Sequence, residues 1–150
     1  GNNVYIAGDE YKARNVVERI LTPMLWVNGT GTILPVGNGG IANARGVFVD
    51  GKDVYVVGNQ VPLGAVRSMA TMWKNSNEFS RCDQSLESVV GKVYVSGGEV
   101  FATGNIVTDA DGRNSHAALW KNEMNQSEML RTTGSNYSIA YDVFVTNGKK

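Results

Sequence analysis

A single histidine, His116, and a single cysteine, Cys82, bound the chemistry open to this chain of 150 residues. A Ser-His-Asp arrangement would have to use His116. Its neighbour Ser115 is a poor partner, because adjacent residues on a strand point to opposite faces. A zinc site needs several His or Cys ligands, and one of each is too few. Cys82 cannot form an internal disulfide. It reads as a small apolar residue packed inside rather than as a reactive thiol or an intermolecular link. No catalytic residue is assigned.

The oxygen donors offer more. The stretch Asp109-Ala110-Asp111-Gly112-Arg113-Asn114 has the opening of a calcium loop. Asp109, Asp111 and Asn114 could supply ligands, and Gly112 permits the sharp turn. The distant Glu that completes such a loop is not evident, and the same composition builds Asx turns. Calcium on these three residues is the one cofactor the sequence suggests. Asp9, Glu10, Asp50, Asp53, Glu87, Glu99 and Asp142 fall in turns, where two carboxylates could serve a glycosidase. Nothing selects two of them. Gly37-Asn38-Gly39-Gly40 is not a phosphate loop, since no helix with Lys-Ser or Lys-Thr follows. Asn28, Asn125 and Asn136 each begin an Asn-x-Ser/Thr acceptor pattern, which matters only in a eukaryotic secretory setting.

Three tryptophans, Trp26, Trp73 and Trp120, could stack on sugar rings. They also lead to the organisation of the chain, because both intervals are 47 residues. Their surroundings repeat: Pro23-Met24-Leu25-Trp26-Val27-Asn28, Ala70-Thr71-Met72-Trp73-Lys74-Asn75 and Ala117-Ala118-Leu119-Trp120-Lys121-Asn122. A second string recurs as Val4-Tyr5-Ile6-Ala7-Gly8, Val54-Tyr55-Val56-Val57-Gly58 and Val100-Phe101-Ala102-Thr103-Gly104. A third recurs as Val47-Phe48-Val49-Asp50-Gly51, Val93-Tyr94-Val95-Ser96-Gly97 and Val143-Phe144-Val145-Thr146-Asn147. Three strings on one period establish an internal repeat of about fifty residues. A repeated Trp equally suits packing between repeats, and packing is the stronger reading.

Each repeat reads as four strands. Strand one is the Val-aromatic-Val string. A two-residue turn, Lys52-Asp53 or Gly98-Glu99, leads into strand two. Strand three carries the Trp. A short strand four is expected at Thr32–Val36, Glu78–Arg81 and Glu128–Thr132. Strands one and two are apolar on both faces, as in a sheet covered on both sides. Lys12–Leu21 has some helical spacing, but it stands where the other copies have a loop, so a loop or a strand extension is expected. The repeats run approximately over 1–40, 41–87 and 88–134, with 135–150 supplying the first strand of a unit shared with 1–40.

Four short antiparallel strands in a unit of this length resemble the blade repeats of β-propellers such as the kelch and WD40 types. The recurrent Trp-Asp of one type is lacking. The paired Gly of the other occurs only as Gly39-Gly40 and Gly97-Gly98, at different phases. The Val-Tyr-Val-x-Gly and Leu-Trp-Lys-Asn strings resemble a repeat of uncharacterised secreted bacterial propeller proteins. That resemblance implies a fold and a secreted or cell-surface location, not an activity.

Propeller rings take about 4 to 8 blades, and three cannot surround an axis. A two-fold dimer would supply six. The chain starts at strand two and stops after strand one, so each end lacks the hairpin partner that the other would provide. The expected fold is therefore all-β, with three four-stranded antiparallel blades forming half of a six-bladed propeller completed by homodimerisation through exchanged terminal strands. A fragment of a larger propeller, or an open solenoid-like array, are the rival readings.

Lys plus Arg and Asp plus Glu both number 14, so no basic excess favours nucleic acid. Lys149-Lys150 is a short basic end, read as solvated. No apolar run is long enough to span a bilayer as a helix. Gly1-Asn2-Asn3 lacks the features of a signal peptide, as the start of a mature secreted protein or an excised piece also would. The expected function is a non-catalytic binding or scaffold module for a glycan or a protein. The alternatives are a hydrolase or lyase with acidic residues at the channel, and a fragment without function of its own.

Overall fold

The computed structural model describes residues 1–13, 19–83, 86–109, 111–130 and 134–146. Residues 14–18, Ala110, Thr132, Asn147 and the Lys149-Lys150 pair lie outside them.

The described residues form eleven strands and one short 3-10 turn, with no α-helix. The strands are β1 (Tyr5–Ala13), β2 (Arg19–Val27), β3 (Thr30–Ile33), β4 (Ile41–Asp50), β5 (Asp53–Val61) and β6 (Met69–Lys74). They continue as β7 (Asn77–Arg81), β8 (Ser88–Ser96), β9 (Glu99–Val107), β10 (Ser115–Lys121) and β11 (Glu123–Met129). They make three antiparallel meanders, ordered β1-β2-β3, β4-β5-β6-β7 and β8-β9-β10-β11.

Register repeats with the sequence. Ile6 pairs with Trp26, Val56 with Trp73 and Ala102 with Trp120. The β4–β5 and β8–β9 hairpins each carry a bulge, between Ala44 and Gly46 and between Val90 and Lys92. A bulge sharpens twist and bends the strand.

One asparagine per copy locks the third strand to the second. Asn28, Asn75 and Asn122 have φ of 51°, 51° and 65°, the left-handed region that Asn tolerates better than most residues. Each backbone N–H donates to the carbonyl of Val4, Val54 or Val100 at 2.9, 2.9 and 2.8 Å. Each side-chain Oδ1 accepts from the N–H of that same valine, at 2.9, 2.9 and 3.0 Å.

Two apolar clusters join the sheets. Leu25 and Leu34 of the first copy pack with Ala42, Ala44, Val56 and Trp73 of the second. Tyr55, Val57, Ala70 and Met72 of the second pack with Val93, Val95, Ala102 and Trp120 of the third. The middle sheet therefore buries both faces. Contacts between neighbouring sheets concentrate on β4 and β8 and thin out at β7 and β11.

Two expectations need correction. The fourth strand of the third copy is Glu123–Met129, not Glu128–Thr132, because β11 starts straight after Asn122 and a bulge between Trp120 and Lys121 absorbs the shortened turn. The fourth strand of the first copy is Thr30–Ile33 rather than Thr32–Val36, starting directly after the Asn28-Gly29 turn. Val143–Val145 has no strand pairing within one chain, because no described strand lies beside it. Lys12–Leu21 is a strand extension as far as it is described, with β1 reaching Ala13 and β2 starting at Arg19.

Asn75→Ala should destabilise the fold by about 1–3 kcal/mol, through left-handed strain and the lost acceptor. Asn75→Gly, which tolerates the same φ, should cost less. Guanidinium unfolding of the two variants measures the difference.

Candidate functional site

Trp73 and Trp120 are 0% and 1% exposed, held between sheets, and offer no face to a sugar ring. The Trp73 indole N–H donates to the Pro35 carbonyl at 2.8 Å, tying the second sheet to the link that leaves the first. Trp26 is only half-buried.

The acidic loop closes on itself. Asp109 Oδ1 accepts from the Asn114 backbone N–H and Oδ2 from the Asn114 side-chain amide, both at 3.0 Å. The carboxylate thus bridges the two ends of the loop through both of its oxygens. Among the described residues, no group of three or more His, Cys, Asp or Glu side chains is placed to hold a metal ion.

Several of the other acids are tied to neighbours. Asp9 accepts from the Ala44 N–H at 2.8 Å, bracing the first sheet against the second. Asp53 pairs with Lys74 at 2.9 Å and Glu99 with Lys121 at 2.6 Å, again at equivalent positions. The Lys74 hydrogen bond, helped by Asn75, holds the Asp53 carboxyl below its ordinary value and raises Lys74 in turn. What Asp53 adds to stability is present above the usual carboxylate range and is lost as acid protonates it. Both groups are solvated, so the contribution is small.

His116 pairs with Ile106 in β10, while the buried Ser115 hydroxyl accepts from the Asn105 amide at 2.7 Å. The two side chains take opposite faces of the strand, and no nucleophile–base pair forms between them. Cys82 is buried and its thiol donates to the Met124 carbonyl at 2.8 Å. Burial pushes its pKa up, against hydrogen bonds with Ser88 and Trp120.

Exposed apolar side chains occur at both ends of the stack, as they also do on the middle copy at Ile41, Leu63, Val66 and Phe79. Ile6 is 53% exposed, whereas its counterparts Val56 and Ala102 are 1% and 0%. Leu130, whose N–H bonds the Ala117 carbonyl as Leu34 does Pro23 and Cys82 does Ala70, is 37% exposed against 0% for Leu34. A depression on the uncovered face of the third sheet is lined by Leu119, Lys121, Asn122, Gln126 and Glu128. Met72, the counterpart of Leu119, lies under the third sheet instead.

Residues 134–146 run across that third sheet. Ser138 donates to the Ser115 carbonyl at 2.8 Å, and its hydroxyl accepts from the Ala117 N–H at 2.9 Å. Ser88 makes the same two bonds one copy earlier, to the Ser68 carbonyl and from the Ala70 N–H, both at 2.9 Å. In the first copy Pro23 stands at the donor position, with no N–H to give, and Ala42 replaces the serine. Phe48, Tyr94 and Phe144 stack in sequence, with ring centres 4.8 and 5.2 Å apart. Residues 138–146 thus stand on the third sheet as β8 stands on the second.

Sequence reasoning did not single out the serine latch. Its signal was available in Ser88 and Ser138, each paired with an alanine two residues before a strand-three apolar residue. No family model, curated protein or solved structure matches the chain.

Native Cys82 should react with iodoacetamide at mildly alkaline pH many-fold more slowly than the guanidinium-unfolded chain does, since burial withholds both the thiolate and access. Intact mass against time reads the ratio.

Proposed function

We propose that this chain is half of a six-bladed β-propeller completed by a second copy, and that the ring serves as a non-catalytic binding or scaffold module. The observation that carries the proposal is the repeated two-faced sheet. Each interior contact joins equivalent residues of successive copies, and the end sheets leave exposed, at Ile6 and Leu130, positions whose counterparts Val56 and Leu34 are buried. Contacts dense at the first strands and sparse at the fourth describe wedges, which curve around an axis when stacked. Two arcs of three give six, within the range that rings of this type adopt.

A binding role fits what the polar residues do. Asp9, Asp53, Glu99, Asp109 and Asp142 hold backbone groups or cations of the fold. The connections between strands then remain as the variable surface that a glycan or a protein would meet, on a rigid support. Assembly is the first test.

Light scattering of the purified chain should give about 32 kDa, twice the 16.2 kDa of one copy. A folded species of one copy's mass contradicts the ring.

A further inference from the structure

We infer that the open edge of β1 receives residues 138–146 of a second copy of this chain, in a register set by Gly8; the inference rests on the ring proposed above. In the second and third sheets, β5 and β9 are flanked on both sides. Their counterpart β1 has β2 on one side and no described strand on the other. Val4 turns its N–H and carbonyl toward Asn28. By alternation, Tyr5 and Ala7 turn theirs to the open side. An edge of that kind is a template for another strand.

The chain itself carries a matching segment. Residues 138–146 occupy the place of a first strand beyond the third sheet, held by the Ser138 latch, the Tyr94–Phe144 stack and a Lys92–Asp142 ion pair at 3.6 Å. Among the described residues no second strand lies beside them. They are fixed at the opposite end of the stack from β1, so the same molecule's β1 cannot supply it. A second copy can, and the exchange is reciprocal.

Gly8 fixes the alignment. A Cβ on Gly58 would run into the Asn43 carbonyl, and one on Gly104 into the Val89 carbonyl, both in the neighbouring first strand. Close approach of that strand is what demands glycine there. A Cβ on Gly8, the third member of the series, would meet only the Trp26 ring, at 3.1 Å. The carbonyl that would explain Gly8 is that of Ile139 in the second copy. The β8–β9 pairs Val95–Val100, Tyr94–Phe101, Val93–Ala102 and Val90–Gly104 then translate directly. Val145 faces Val4, Phe144 faces Tyr5, Val143 faces Ile6 and Ala140 faces Gly8. Tyr141 takes the bulge position of Gly91.

The test uses the full chain carrying Cys82→Ser, with Val4→Cys and Val145→Cys added. Val4 and Val145 form a non-hydrogen-bonded pair, where side chains approach closely enough for a disulfide. Mild oxidation should give a covalent dimer on a non-reducing gel, with a peptide joining positions 4 and 145. Val4→Cys with Phe144→Cys, one residue out of register, should not cross-link. In the otherwise native chain, Gly8→Ala should weaken association about tenfold or more, since the Ile139 carbonyl of the second copy would crowd the added Cβ beyond what the half-buried Trp26 ring already does. Gly91→Ala, which meets open space, should not. Far-UV circular dichroism confirms that each variant is folded. A species of dimeric mass that fails to join 4 to 145, or joins 4 to 144 equally well, or tolerates Gly8→Ala, overturns the register but leaves the ring. A folded monomer, or a 4–145 bond within one chain, overturns both.

Discussion

The middle sheet is apolar on both sides, and the rest of the molecule follows from that. Val56 and Trp73 are sealed against the first sheet, while Val57 and Met72 are sealed against the third. Each fully buried side chain of this size contributes about 1.5–3 kcal/mol through the hydrophobic effect. A sheet with two such faces is stable only between two covers. Because the first and third sheets repeat its sequence, they inherit the same demand. Each meets it against the middle sheet; on the other face Ile6 and Leu130 stay exposed, and residues 138–146 cover part of the third sheet. The association proposed for this chain would then follow from the repeat rather than from an added feature.

Polar groups give this packing its alignment. The asparagine clamp holds strands two and three within each sheet at the same point in all three copies. The serine latch acts between sheets and fixes where a first strand lies on its predecessor. Where the latch is missing, both halves are missing: Pro23 has no N–H and Ala42 has no hydroxyl. Asp9 compensates at that junction by accepting from the Ala44 N–H. An apolar face alone would permit sliding. A hydrogen bond with one donor and one acceptor does not.

Much of this was legible in the residues. Strands one and two are read easily, because burial on both faces writes continuous Val-aromatic runs such as Val54 to Val57. The tryptophans mark strand three for the same reason. Strand four was harder, since β11 is Glu-Met-Asn-Gln-Ser-Glu-Met, largely exposed, and carries little apolar pattern. The positive φ of Asn28, Asn75 and Asn122 marks its start, and a turn read at each would have placed it. Val143–Val145 reads as a strand by composition, but a strand needs a neighbour to bond with. The acidic stretch at Asp109 reads equally as a calcium loop or a turn, and only its geometry reveals that Asn114 occupies both carboxylate oxygens.

The central claim is that the open side of β1 is paired when the protein assembles. Amide hydrogen exchange at Tyr5 and Ala7, followed across protein concentration, addresses it directly. The account predicts protection that rises with association and approaches that of Tyr55 and Val57, their counterparts beside β4. Exchange at Tyr5 and Ala7 that stays fast at every concentration, while Tyr55 and Val57 remain protected, would contradict it.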